Sequence, residues 1–212
     1  MTPELLVAIT ISSYWACVLL MSIRSRVKFK TASGSIPKAK VERLMWLLWV
    51  PTIVAWIALT WNGSNQVTKW LANTANVGWG SAWQTALWMA AIATLFAFVI
   101  TTRCWMSMGK NWSMAVRPDK KTDLITDGMF AFVRHPIYAL SLLLMIGSLI
   151  VNLGWPMLLV ATIHCSMLVM KSLNEERYLA KLHGQQYNDY LQRTSRFFPL
   201  RAVRNIRFAK SA

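Results

Sequence analysis

Charged residues are scarce in this sequence, and acidic residues are the scarcest. Only 15% of its 212 residues are charged, whereas an average soluble domain has about 25%. Hydrophobic residues make up 55% of the chain, and several apolar runs approach the ~20 residues that a helix needs to cross a bilayer. These values exclude a soluble globular domain and predict a polytopic membrane protein.

Cysteine pairs, metal-ligand spacings and glycine-rich nucleotide-binding loops are also missing. Cys17, Cys104 and Cys165 are widely separated and form no CxxC motif, which argues against both a disulfide framework and a zinc site. No metal is therefore predicted. The first apolar run follows Glu4 instead of a basic segment, and no small-residue cleavage site comes after it, so we expect a retained membrane helix.

The shortage of acids leaves a net charge of +15, with 23 Lys and Arg against eight Asp and Glu. The basic residues form blocks that alternate with apolar runs: seven in 24–43, one in 62–82, six in 103–134 and nine from Lys171 onward. Aromatic residues do not interleave with them on a soluble face, so we predict no nucleic-acid partner. The positive-inside rule places residues 24–43, residues 103–134 and the C-terminal tail in the cytoplasm, and the N-terminus outside.

Five apolar runs organise the chain, at residues 5–23, 44–61, 83–102, 137–151 and 155–170. The last two are short, and only Asn152-Leu153-Gly154 separates them, which indicates a helical hairpin. We therefore predict an all-α integral membrane protein with about five transmembrane helices, a C-terminal helical hairpin and a cytoplasmic C-terminal helix. His164 lies inside the fifth run, where we expect a neutral histidine hydrogen-bonded between helices.

An Arg-His-Pro triplet stands at the edge of the fourth run. Pro136 suits the first turn of the helix that follows, and Arg134 and His135 add a fixed charge and a titratable ring where headgroups meet water. The triplet alone could serve as an interfacial anchor, because arginine side chains reach toward the headgroups from apolar surroundings.

The hairpin places charged residues of the fifth run's end beside the Arg-His-Pro triplet. Because helices four and five turn back tightly, their cytoplasmic ends lie side by side, which brings His135 and Tyr138 close to Lys171, Glu175 and Glu176. Lys171 and Glu175 are four residues apart and share a helix face, so they could form an ordinary ion pair.

The adjacent acids Glu175 and Glu176 repel each other just below a membrane run, so a cationic partner is expected. Lys171, Arg177 or a ligand could supply it. Ion-pair networks of this kind are found both in structural and in functional roles.

Several motifs occur in order along the C-terminal half. They are Gly109-Lys110-Asn111-Trp112-Ser113, Arg134-His135-Pro136-Ile137-Tyr138, Glu175-Glu176, Gly184 with Tyr187 and Tyr190, and Arg196-Phe197-Phe198-Pro199. This set resembles the isoprenylcysteine carboxyl methyltransferase family, which includes related bacterial membrane methyltransferases and phospholipid N-methyltransferases. The resemblance covers roughly residues 108–199.

The resemblance implies S-adenosyl-L-methionine as cofactor, bound on the cytoplasmic side by a single domain. That domain would consist of N-terminal transmembrane helices at 1–103, a cofactor-binding catalytic half at 104–199 and a basic tail at 200–212. The implied cofactor-binding residues are Thr122, Asp123, Leu124, Ile125, Phe130, His135, Pro136, Ile137, Tyr138 and Glu175. Glu175 would take the ammonium of the cofactor, and Lys171, Glu175 and His135 are the implied catalytic residues.

Two positions depart from the family pattern. Lys171 stands where members with a carboxylate substrate have an arginine that orients it, and a lysine offers a point charge instead of a planar fork. Phe130 stands where a tyrosine is frequent.

A carboxylate acceptor needs no base, whereas an amine acceptor would need His135 or a glutamate as base.

The predicted activity is methyl transfer to a lipophilic or lipidated membrane-resident acceptor, most like protein-S-isoprenylcysteine O-methylation. The alternatives are phospholipid N-methylation, an NADPH-dependent reductase of the sterol type, and a non-enzymatic membrane scaffold. The soluble methyltransferase fold is excluded because the sequence shows no βαβ alternation. The relatives that the chain most resembles favour a bacterial inner membrane.

Overall fold

The computed structural model describes residues 1–29, 40–62, 80–114 and 123–200, and these are mostly helical. The helices are α1 (Pro3–Phe29), α2 (Lys40–Asn62), α3 (Gly80–Met108), α4 (Pro136–Val151), α5 (Trp155–His183) and α6 (Gln185–Arg193). Short 3-10 turns occur at Gly109–Asn111 and Gly128–Ala131. Within these ranges β structure is limited to one isolated parallel bridge, between Val133 and Ser195.

The helices have the lengths that a membrane protein requires. By length and composition, α1, α2, α3 and α5 can each cross a bilayer, and α4 is a shorter apolar helix of 16 residues. The prediction of an all-α integral membrane protein is confirmed. The predicted boundary at residue 103 falls inside the continuous helix α3, and the division of the chain at that point stays a prediction.

The helical hairpin is formed as predicted. Pro136 occupies the first turn of α4, where its missing N–H has no helical partner to lose. The helix ends at Val151, and the Asn152 N–H still donates to the Ser148 carbonyl at 2.8 Å. α5 begins at Trp155 and runs to His183, so it continues beyond the apolar run and carries Glu175 and Glu176.

A glycine turn separates α5 from α6. Gly184 has φ +54° and ψ −123°, a conformation that residues with a Cβ adopt only under strain. The turn lets α6 fold back beside the end of α5, where Tyr187 and Tyr190 become buried. The two tyrosines of the sequence motif therefore face the same end of the hairpin as Glu175.

His164 joins three helices inside the bundle. Its Nδ1 accepts a hydrogen bond from Trp49 Nε1 on α2 at 3.2 Å, and its Nε2 lies 3.0 Å from Ser141 Oγ on α4. Because Nδ1 accepts, the ring is neutral and donates from Nε2. The expectation of a hydrogen-bonded histidine between helices is confirmed.

Close packing of α3 on α4 depends on Gly147. A Cβ added there would lie 2.0 Å from Thr94 Oγ1 and 3.1 Å from the Ala90 carbonyl oxygen. We expect Gly147→Val to destabilise the protein by about 1–3 kcal/mol, because the helices would have to separate. Thermal unfolding in detergent measures this loss.

Two variants test the cause of that loss. Ile146→Leu, at a neighbouring position that is 51% exposed, should leave the melting temperature unchanged. Adding Thr94→Ala to Gly147→Ala should restore part of the stability that Gly147→Ala loses, since it removes the nearest atom. Equal melting temperatures for wild type and Gly147→Val would contradict the close contact.

Candidate active site

A cavity of about 190 Å³ lies where the ends of α3, α4 and α5 meet α6. Its wall is formed by Met108, Asn111, Trp112, Ser113, Asp123, Leu124, Ile125, Phe130, Arg134, His135, Pro136, Ile137, Tyr138, Glu175, Tyr178, Leu179, Tyr187 and Tyr190. Both apolar and aromatic side chains contribute, with charged groups concentrated near the end of α5. The cavity therefore combines a surface for a flat ring with acceptors for a cation.

Most of the predicted site residues come together on this wall. They are Asp123, Leu124, Ile125, Phe130, His135, Pro136, Ile137, Tyr138 and Glu175. Thr122 lies outside the described residues. Lys171 is not part of the wall, although it contacts a residue that is. The structure thus assembles the predicted set from three separate stretches of sequence.

His135 lies between the two adjacent acids of α5. Its Nε2 is 3.2 Å from Glu176 Oε1, and its Nδ1 is 3.6 Å from Glu175 Oε2. The ring stacks on Tyr138, with centroids 5.3 Å apart and planes 6° from parallel. Tyr138 donates its hydroxyl proton to Glu175 Oε1 at 2.5 Å. These contacts confirm that the hairpin brings His135 and Tyr138 to the acids.

Glu176 is bound by two guanidinium groups. Its Oε1 accepts from Arg134 Nε and from Arg196 Nε, both at 3.0 Å, and its Oε2 accepts from Arg196 Nη2 at 2.6 Å. Burial alone would raise the pKa of Glu176, but hydrogen bonds from His135, Arg196 and Arg134 hold it well below its usual range, and the Glu176 contact raises the pKa of Arg196. The pair is therefore ionised at any ordinary pH. Neither arginine was predicted as the partner of the acids, because both are distant from them in the sequence.

Lys171 is buried on the membrane side of Glu175. Its Nζ lies 3.4 Å from Glu175 Oε1, donates to the Met114 carbonyl and lies 5.8 Å from the centre of the Trp49 ring. The expected ion pair between residues four apart is therefore formed. Among the cations considered, Lys171 is the partner of Glu175, and it is not the partner of Glu176.

The C-terminal strap, residues 194–199, holds the Arg134-His135 backbone from outside the cavity. Val133 and Ser195 form the parallel bridge. The Arg134 N–H donates to the Ser195 carbonyl at 2.9 Å, and the His135 N–H donates to the Arg196 carbonyl at 3.1 Å. The strap therefore fixes the two residues that precede α4.

Some wall residues were not among the predicted site. Tyr178 and Leu179 lie three and four residues after Glu175, so helical periodicity places them on its face. Tyr187, Tyr190 and the Asn111–Ser113 stretch belong to motifs that had been recognised without a role. For these residues a signal existed in the sequence, and the missing information was which side chains meet the cavity.

Tyr190 stabilises the cavity wall through its hydroxyl group. That group donates to the Phe130 carbonyl at 2.6 Å, and burial raises the pKa of Tyr190 to about 12. The phenol therefore stays protonated as a donor at neutral pH. We expect Tyr190→Phe to lower stability by about 1 kcal/mol, because it leaves a buried carbonyl without its donor. Thermal unfolding measures the effect.

Tyr187 offers the matched control. Its hydroxyl is buried and has no hydrogen-bond partner within the described part of the chain, so Tyr187→Phe removes no bond found there. The expected order of melting temperatures is Tyr187→Phe above Tyr190→Phe. The reverse order would show that the Phe130 carbonyl does not depend on Tyr190.

Comparison with known proteins agrees with this architecture. The phospholipid methyltransferase family matches residues 80–186, just over half of the chain, and the chain belongs to this family. The resemblance expected from the motifs is confirmed. The matched stretch includes α3, the hairpin and the start of α6, and it therefore contains most of the cavity wall.

Two curated relatives are both named protein-S-isoprenylcysteine O-methyltransferase. The one from Dictyostelium discoideum is 27% identical over 113 residues, 49% of this chain and 45% of the relative. The one from Schizosaccharomyces pombe is 33% identical over 102 residues, 43% of this chain and 40% of the relative. The matched regions span less than half of either relative.

A third relative is the nickel-cobalt-cadmium resistance protein NccN of Alcaligenes xylosoxydans xylosoxydans. It is 22% identical over 120 residues, 56% of this chain and 55% of the relative. No solved structure matches the chain.

Proposed function

We propose that this protein is an S-adenosyl-L-methionine-dependent methyltransferase that acts on a lipophilic acceptor from the membrane. The observation that carries the proposal is the carboxylate of Glu175. It stands on the wall of a partly apolar cavity at the end of a membrane hairpin, with Tyr138 bonded to one oxygen and His135 facing the other. Family membership and the names of the relatives support the same activity.

The residues of the cavity fit this cofactor. S-adenosylmethionine carries an ammonium and a sulfonium, and Glu175 offers a carboxylate for a cation. Its adenine ring needs a flat apolar surface, and the wall offers Phe130, Leu124 and Ile125. Glu175 and these three apolar side chains line the same cavity, so one bound molecule can contact all of them.

The protein's task in this reaction is alignment. When bound, the cofactor supplies a methyl group on sulfur together with its own leaving group. Direct displacement then depends on holding donor and acceptor in line. Glu175 would hold the ammonium end, and Tyr138 fixes Glu175 through a hydrogen bond of 2.5 Å. The stacked ring of His135 would close the same end of the cavity.

We further propose that the acceptor carries a carboxylate and that Lys171 orients it. Lys171 lies one helical turn before Glu175, toward the apolar part of α5, so its ammonium is on the side from which a lipophilic acceptor arrives. The Lys/Arg distribution supports a cytoplasmic cavity with the N-terminus outside.

Phospholipid N-methylation is the second candidate, because the matching family bears that description. An amine acceptor must lose a proton, and His135 is the wall residue best suited to accept it. The two candidates differ in the acceptor group and in the need for a base.

Methyl transfer to defined acceptors tests the proposal. The purified protein in nanodiscs is incubated with S-adenosylmethionine labelled in its methyl group, and N-acetyl-S-farnesylcysteine is compared with phosphatidylethanolamine. We expect label in the farnesylcysteine, in a base-labile ester. Label in phosphatidylethanolamine would replace the carboxylate acceptor by an amine. Absence of label in both, with S-adenosylhomocysteine still bound, would refute both acceptors.

A further inference from the structure

We propose that Glu176 is a positioning residue that holds His135 in one tautomer, so that His135 Nδ1 and Glu175 Oε2 together accept the ammonium of the cofactor. The inference rests on the proposed function. The two adjacent acids then have different roles: Glu175 lines the cavity, and Glu176 acts through the imidazole of His135. In these roles His135 accepts a hydrogen bond from the ligand and is not a further cation beside the two arginines.

The position of the proton follows from the surroundings of Glu176. Its Oε1 already accepts from two guanidinium nitrogens at 3.0 Å and lies 3.2 Å from His135 Nε2. A carboxylate bound to two arginines is ionised and can only accept. The proton in the contact with His135 therefore belongs to Nε2.

We take the ring as neutral, with a lone pair on Nδ1, because the contact of Nδ1 with Glu175 is too long for an N–H···O hydrogen bond. In a neutral imidazole the nitrogen that carries no proton is an acceptor. Nδ1 lies 3.6 Å from Glu175 Oε2, which is longer than a normal N–H···O hydrogen bond. The distance agrees with two acceptors that face each other without a proton between them.

Two acceptors at this distance suit an ammonium group. An ammonium has three N–H donors, so it can donate to Nδ1 and to Oε2 at once. Glu175 Oε1 is the oxygen that Tyr138 and Lys171 contact, and Oε2 is turned toward His135. In the opposite tautomer, Nδ1–H would donate to Oε2 and would compete with the ligand.

Substitution of Arg196 tests whether an effect of removing Glu176 comes only from loosening the strap. It belongs to the strap and contributes two of the hydrogen bonds to Glu176, but it does not line the cavity. Removing Arg196 loosens the strap and leaves Glu176 as acceptor for His135. Removing the Glu176 carboxylate loosens the strap and also removes the acceptor that keeps the His135 proton on Nε2.

The test compares two ligands by calorimetry on the full chain in detergent. The first is S-adenosylhomocysteine, and the second is its deamino analogue, which lacks only the amino group. For Glu176→Met we expect the preference for the first over the second to fall about tenfold, as for one lost charge-assisted hydrogen bond. Arg196→Met should keep the wild-type preference. Glu176→Gln should also keep it, because its amide oxygen still accepts from Nε2.

Two results would overturn the inference. One is an unchanged preference in Glu176→Met, and the other is an equal loss in Arg196→Met, which would assign the effect to the strap. Should Glu176→Met fail to fold, the wild type decides by ¹⁵N NMR after histidine labelling, since the chain has three histidines. Assigned by comparison with His135→Asn, the His135 signals must show a protonated Nε2 and a bare Nδ1.

A protonated Nδ1 in that spectrum would refute the tautomer. Failure of the proposed function is a separate outcome, because a wild-type protein that binds neither nucleoside would refute the cofactor. The NMR spectrum of the unliganded protein would still judge the tautomer.

Discussion

Glu175→Gln is expected to weaken the binding of S-adenosylhomocysteine by about 10- to 100-fold, as the loss of one charge-assisted contact implies. The substitution keeps the size of the side chain and its bond from Tyr138, but it removes the negative charge that faces the cavity. The ammonium of the ligand then meets a neutral amide. Calorimetric titration of wild type and variant measures the change.

The matched control for this variant is Asp189→Asn. Asp189 is an exposed acid on α6 whose carboxylate accepts from Gln185, and it is not part of the cavity wall. It undergoes the same chemical change, so its affinity should stay within about twofold of wild type, as for a surface position. If both variants bind like wild type, Glu175 does not hold the ammonium.

Arg134→Met is expected to lower the free energy of unfolding by about 3 kcal/mol, because the buried Glu176 loses one of its two guanidinium partners and only Arg196 remains to compensate its charge. The side chains of Arg134 and Glu176 are only 10% and 11% exposed. Arg134 also donates to the carbonyls of Leu191 and Thr194, so the strap would lose contacts too. Thermal and denaturant unfolding in detergent measure the effect.

Replacing both partners isolates the charge. The double variant Arg134→Met/Glu176→Leu should recover part of the stability, since apolar residues replace the buried ion pair and Arg196, which loses its carboxylate partner, is partly exposed to water. Arg196→Met should cost less than Arg134→Met, because the Arg196 side chain is 32% exposed. A double variant less stable than Arg134→Met would show that backbone contacts, and not the incompletely compensated charge of Glu176, dominate the loss.

Much of the site could be predicted because it depends on local patterns. Two short apolar runs joined by Asn152-Leu153-Gly154 leave little choice but a hairpin, and a hairpin places the ends of its helices together. The juxtaposition of His135 with Glu175 follows from that geometry alone. The motif resemblance then supplied Asp123–Ile125, whose position on the wall no periodicity indicates.

The partners of Glu176 could not be predicted for a physical reason. Arg196 reaches it only because Gly184 reverses the chain, α6 runs back and the strap pairs with Val133. None of these steps leaves a local signal that specifies the next. The same holds for Lys171, whose burial against Trp49 depends on how α2 packs on α5. The motifs identify many of the side chains at the site, and tertiary packing determines which of them are in contact.

The structure shows the contacts of Lys171 and Phe130, the two residues that depart from the family pattern. Lys171 makes contacts that a single ammonium can satisfy, to one carboxylate oxygen and one carbonyl. Phe130 is bound through its backbone carbonyl by Tyr190, so its ring remains available as an apolar surface. Phe130 therefore offers its ring to the cavity, and under the proposed function Lys171 would orient the acceptor as a point charge.

The measurement that tests the central claim most directly is calorimetric titration of the purified wild-type protein with S-adenosylhomocysteine, with NADPH as comparison. We expect saturable binding of S-adenosylhomocysteine, on the order of micromolar affinity, and no binding of NADPH. Binding of NADPH alone would place the chain among reductases. Binding of neither ligand would contradict the assignment of this cavity as a cofactor site.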